Sequence, residues 1–196
     1  MDLRRCVFHM RTPANALARE LVPLSALERT DPSAYAEAIV KYDGDPERRN
    51  LRNTRIPRTS ATWADVVFLS PILPHAILQA WRAIGRIQLP AQEFWAIPVE
   101  ALPDAVVFDR TLSRTGDPID LGEVTPLDPR AYRALEQTTP RNRAWIARLT
   151  QRGERGAWFN GTPQILVPGP VPLRHAQLVD WADALPLDQP PAQFRP

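Results

Sequence analysis

Ala64-Asp65-Val66-Val67-Phe68-Leu69, then Ser70-Pro71-Ile72-Leu73, then Pro74-His75-Ala76-Ile77-Leu78-Gln79-Ala80-Trp81, is the stretch on which the fold reading turns. Val66 to Leu69 is an unbroken apolar run ended by a turn-prone Ser-Pro, which reads as a buried strand. Pro74 pre-sets the backbone of a first helical turn, and Ile77, Leu78, Trp81 and Ile84 recur at helical spacing until Gly85 closes the helix. A strand that yields to a helix within a few residues calls for a mixed fold.

Outward from that stretch, the N-terminal side opens on a strand over Arg5 to Met10, with His9 near its end, and a short helical segment from Ala14 to Glu20. Ser25-Ala26-Leu27-Glu28 has the form of a capping box. Asp31-Pro32 places an N-cap and an N1 proline ahead of Tyr35, Ala38, Ile39 and Tyr42, in a helix that should stop at Asp43-Gly44-Asp45-Pro46. The arginine-dense segment from Glu47 to Arg58, anchored by Leu51 and Ile56, reads as an exposed loop or a frayed helix. On the C-terminal side, Glu93 to Val99 and Ala105 to Asp109 read as strands, and Ser113 to Thr125 as a mobile polar connection. Asp128-Pro129 and Thr139-Pro140 each signal a helix start, the second helix ending at Gly153. Ala157 to Asn160 and Gln164 to Val167 suggest a hairpin, and Leu173 to Leu185 a last helix with Leu178, Trp181 and Leu185 inward. Strands that do not alternate regularly with helices argue for α+β over a doubly wound sheet. The expectation is one α+β domain over residues 1–185, followed by a disordered proline-rich tail over 186–196.

At 196 residues and 44% hydrophobic, the chain is long enough to bury a core. It carries no apolar run of bilayer length and no signal-type h-region, so a soluble, cytoplasmic protein with no membrane contact is expected. Cys6 is the sole cysteine and its apolar neighbours favour a buried structural thiol. Net charge is +2, with Lys41 the sole lysine. Arginine's planar fork suits phosphate and carboxylate, although a GC-rich coding bias explains the same preference. No glycine-rich phosphate loop, paired-cysteine spacing or Gly-x-Ser-x-Gly elbow is present. His9, His75 and His175 lack ligand spacing, so no metal is expected.

Two segments gain meaning together: Val7-Phe8-His9-Met10-Arg11-Thr12-Pro13-Ala14-Asn15, and Arg48-Arg49 followed by Ile56-Pro57 and Asp65-Val66-Val67-Phe68. With Pro163-Gln164-Ile165-Leu166-Val167 and then Val171-Pro172, they resemble in order and spacing the DarT-type ADP-ribosyltransferase toxins. Those begin with an aromatic-His strand, continue through an Arg-Arg pair and an Asp-x-Val-x-Phe strand, and end on an Ala-Glu-aliphatic-Leu-Val strand. The resemblance implies an ADP-ribosyltransferase-like split β-sheet with peripheral helices, NAD as co-substrate, and DNA or RNA as target, in a bacterial toxin paired with an antitoxin or immunity protein. It implies that His9 contacts the NAD ribose and that Arg11, Thr12 and Asn15 shape the same pocket. Arg48 and Arg49 would neutralise the pyrophosphate or assist transfer, a task that suits a guanidinium.

The departure is at Gln164, where the family carries its glutamate. Glutamine can hold a ribose hydroxyl but can neither take a proton at neutral pH nor offset positive charge. Gln164 therefore implies either a divergent enzyme whose base lies elsewhere or a binding descendant. Two alternatives of other classes stand beside this reading. One is a nucleic-acid-binding module that contacts phosphates through Glu47 to Arg58 and stacks bases on Trp63 or Trp158. The other is a protein-interaction domain with a solvated arginine surface.

Overall fold

A computed structural model describes residues 1–44, 46–85 and 88–183. It is a mixed helix and sheet protein in which every paired strand runs antiparallel. The strands are β1 (Cys6–Met10), β2 (Glu20–Leu21), β3 (Val66–Leu69), β4 (Glu93–Pro98), β5 (Val106–Phe108), β6 (Val124–Pro126), β7 (Gln164–Pro168), β8 (Val171–Pro172) and β9 (Gln177–Asp180). The α-helices are α1 (Leu24–Thr30), α2 (Pro32–Asp43), α3 (Pro46–Leu51), α4 (Pro74–Ala80) and α5 (Pro140–Gln151). A three-stranded sheet runs β1-β4-β9 and a four-stranded sheet runs β3-β7-β5-β6, with β2-β8 as a separate ribbon. The two larger sheets meet where Phe8 and Ser70 exchange backbone hydrogen bonds of 2.9 and 2.8 Å. That seam carries the candidate site.

Period-two alternation puts β7 at the centre of the packing. Ile165 and Val167 enter the larger core, with Phe8, Ile77, Trp81, Phe94 and Trp181, whereas Leu166 faces a smaller one with Ile56, Val66, Phe108 and Val124. The larger core gathers side chains from Cys6 to Trp181. Each such side chain buried contributes on the order of 1.5–3 kcal/mol. The deciding stretch folds as read: β3 is buried, and α4 turns Ile77, Leu78 and Trp81 into the core before a wider π turn over Trp81–Gly85. The Asp31 carboxylate and the Thr139 hydroxyl cap α2 and α5 through the N–H groups of Ala34 and Asn142. Cys6 is fully buried. No helix among the described residues is long and apolar enough to cross a membrane.

Five local expectations are corrected, each for a tertiary reason. Ala14 to Glu20 holds only a 3₁₀ turn at Pro13–Asn15, after which Glu20 and Leu21 pair with Pro172 and Val171. Ser25 is inside α1 and does not cap it, because Pro23 holds the N-cap position and its carbonyl accepts the N–H groups of Ala26 and Leu27. Asp128-Pro129 opens no helix. The Arg5 guanidinium collects the carbonyls of Pro129, Arg130 and Tyr132, Ala134 N–H donates to the Arg4 carbonyl, and Tyr132 Oη donates to the Cys6 carbonyl at 2.8 Å. Gln164 to Pro168 forms no hairpin with Ala157 to Asn160; it pairs with β3 and β5, while the Asn142 amide holds the carbonyls of Trp158 and Asn160. The segment read as a last helix contains β9, an edge strand on β4, with Trp181 buried and Leu178 41% exposed. Leu185 and the tail over 186–196 lie outside the described residues.

The connection from Ser113 to Thr125, expected to be mobile, is organised by one carboxylate. Glu123 is 3% exposed, and its Oε1 accepts from the N–H groups of Thr111, Leu112 and Ser113 at 2.6, 2.6 and 2.9 Å. Its Oε2 accepts from the Ser113 hydroxyl and from Asp120 N–H at 3.3 Å. Burial pushes the Glu123 carboxyl up, but these donors outweigh it and hold the pKa at about 2.

Candidate functional site

At the seam, β1 and β3 diverge and leave two adjoining chambers. The larger, about 670 Å³, lies between the sheet ends (His9, Val66, Val67, Phe68, Gln164) and an arm formed by residues 14–27 with one face of α2. The smaller, about 190 Å³, is lined by Phe8, His9, Met10, Phe68, Leu69, Ser70, Phe159, Thr162, Pro163 and Gln164. His9, Phe68 and Gln164 line both, so they form the partition. Two residues far apart in the chain thus reach one cleft because β1 and β7 both flank β3, at the Phe8–Ser70 seam and along the β3–β7 ladder.

The chemistry of the partition follows from its hydrogen bonds. His9 Nδ1 lies 3.0 Å from the Phe68 carbonyl oxygen. A carbonyl can only accept, so Nδ1 carries the hydrogen. Burial lowers the His9 pKa, the Phe68 carbonyl opposes that shift, and the Lys41 charge adds to it. The imidazole is therefore neutral and Nε2 is an acceptor with no hydrogen bond to the described residues. The Gln164 amide is likewise unengaged by the described residues. At the partition, a ligand meets one acceptor, on His9, and one donor–acceptor pair, on Gln164.

Other residues singled out in the sequence fall differently. Asn15 lines the larger chamber, but its amide clamps the preceding turn, accepting from Thr12 N–H and Trp95 Nε1 and donating to the Met10 carbonyl. Arg11 pairs with Glu93 and lines neither chamber; nor does Thr12. Arg48 and Arg49 sit on α3, also outside both linings, and Arg49 donates to the Asp43 carbonyl at 2.6 Å. Trp63 does border the larger chamber, packed on Phe68 at 4.6 Å between ring centroids. Trp158 is half-buried, meets the Trp81 and Trp181 rings edge-on, and lines neither chamber.

Sequence reasoning missed the charged side chains of the larger chamber, Glu20, Glu37 and Lys41. Ala34, Glu37, Ala38, Lys41 and Tyr42 lie on one stripe of α2, and their i, i+3, i+4 spacing was the available signal. The sequence reading of α2 rests on Tyr35, Ala38, Ile39 and Tyr42, of which Tyr42 alone is buried. A separate opening of about 510 Å³, lined by Asn50, Asn53, Thr54 and Arg55 among others, shares no residue with these chambers. No protein-family model, curated protein or solved structure matches the chain, so its function is argued from this cleft.

Proposed function

We propose that the protein is an NAD-binding, ADP-ribosyltransferase-like domain that transfers ADP-ribose to a nucleic acid. The observation that carries this reading is the convergence of His9 and Gln164 on one partition, each with side-chain atoms unengaged by the described residues. Two antiparallel sheets splayed from a seam, with the cleft at that seam, agree with the architecture that the sequence resemblance implies. The chamber sizes also suit a ligand of two unequal parts, the smaller one aromatic-lined by Phe8, Phe68 and Phe159.

NAD supplies an activated glycosidic bond, whose nicotinamide leaves as positive charge develops at C1 of the ribose. His9 Nε2 accepts a hydrogen bond from a ribose hydroxyl and so orients the sugar. Gln164 holds a second hydroxyl through its amide but contributes no charge. The carboxylates that can offset the developing charge are Glu20 and Glu37 on the wall of the larger chamber. Phe8, Phe68 and Phe159 border the smaller chamber and give the leaving group's side of the partition an apolar wall.

Thermal unfolding with and without NAD tests the reading. At about 100 times the dissociation constant, native-state binding adds about 2.7 kcal/mol. His9→Ala should abolish that shift and any nicotinamide release. A melting temperature indifferent to millimolar NAD refutes the proposal.

A further inference from the structure

The arginines that the resemblance assigns to phosphate lie outside both chambers, while one cation stands on the chamber wall. We propose that Lys41, the sole lysine of the chain, recognises the diphosphate of the dinucleotide in the larger chamber. The inference rests on the NAD reading above and names the residue that would give it selectivity for a phosphorylated ligand.

Three observations support Lys41. It is the sole lysine or arginine lining the larger chamber among the described residues. It is exposed and forms no ion pair with the described residues; its Nζ lies 5.0 Å from the centroid of the Tyr42 ring, which also lines the chamber. By contrast, Arg5, Arg11 and Arg141 are paired with Glu100, Glu93 and Asp109. The third observation is position. Lys41 lines the same chamber as His9 and Gln164, the residues that would hold a bound ribose. On the same stripe, Glu37 stands one turn before Lys41 while Ala34 and Ala38 are small, and the flexible stem of Lys41 lets its ammonium turn toward a ligand in the chamber.

The phosphate recognised could instead belong to a target strand, and the ligands of the test separate the two. Binding of NAD, ADP-ribose, nicotinamide riboside and a single-stranded oligonucleotide is measured by calorimetry on the parent, Lys41→Ala and Lys41→Arg. Lys41→Ala is expected to weaken NAD and ADP-ribose about tenfold, as for loss of one charge-assisted hydrogen bond at a partly hydrated site. Nicotinamide riboside, which has no phosphate, should be unaffected, and Lys41→Arg should retain most of the affinity. In the parent, NAD should also slow acylation of Lys41 by an amine-reactive reagent, read by peptide mass against the Met1 amine.

Unchanged NAD affinity in Lys41→Ala overturns the role of Lys41 while leaving the NAD reading intact. Equal weakening of nicotinamide riboside overturns it too, because the effect would then not be on phosphate. Weakening of the oligonucleotide alone assigns Lys41 to the target strand and overturns it. A parent that binds neither NAD nor ADP-ribose removes both proposals together.

Discussion

Replacing Glu123 by Gln isolates the energy of the carboxylate that organises residues 111–123. At pH 7 the parent presents a buried, ionised acceptor to four N–H groups and one hydroxyl. Gln keeps one oxygen for the Thr111, Leu112 and Ser113 donors but loses the charge, and its amide nitrogen meets the Asp120 N–H donor to donor. The folded pKa of about 2 lies below the ordinary glutamate value of 4.5. At about 1.4 kcal/mol per pH unit, that gap corresponds to about 3 kcal/mol of stability carried by the ionised form. Because the folded pKa is depressed, this contribution is fully present above pH 4.5 and is lost as the pH falls toward 2. Urea unfolding should show Glu123→Gln destabilised by about 3 kcal/mol at pH 7, a midpoint shift of about 1–2 M. The difference between the two proteins should then close between pH 4.5 and pH 2. Acid loss shared by both proteins, such as that from the lowered carboxyls of Asp65 and Glu100, cancels in the comparison. A difference below about 0.5 kcal/mol at pH 7, or one that stays constant through the acid range, would refute the role of Glu123.

Two further outcomes bear on the cleft and on the turn beside it. Gln164→Glu should fold, since its side chain faces both chambers and is not enclosed in the core, and it should raise NAD hydrolysis about 10²-fold or more as a carboxylate comes to face the developing charge. If nicotinamide release is unchanged, Gln164 does not border the reacting carbon. Gly161→Ala should destabilise by more than about 1 kcal/mol, because φ is +79° and an added Cβ would lie 3.0 Å from the Arg141 carbonyl carbon and the Asn142 backbone nitrogen. Calorimetric unfolding reads it, and a neutral result would mean that this turn can move away from the start of α5.

Signals confined to a few neighbouring residues were legible in the sequence. Asp31 and Thr139 cap their helices because the cap hydrogen bond spans only two or three residues. Val66 to Leu69 is a strand because its apolar run must be buried on both faces, and α4 follows Pro74 for an equally local reason. The family resemblance implied a shared pocket for His9 and Gln164, although nothing in the residues themselves could bring them together. That required β1 to meet β3 at Ser70 and β7 to pair along β3.

Long-range partners decided the rest. Asp128-Pro129 carries a valid helix start, yet Arg5, more than a hundred residues earlier, takes the carbonyls that a helix would have used. Gln177 to Asp180 is a strand because β4 has an open edge, which outweighs the helical spacing of Leu178, Trp181 and Leu185. Arg48 and Arg49 were singled out by the resemblance, whereas among the described residues the lysine or arginine that lines the larger chamber is Lys41, on α2, which packs on α1. Composition counts charges, but only packing decides which of them face the space a ligand can enter.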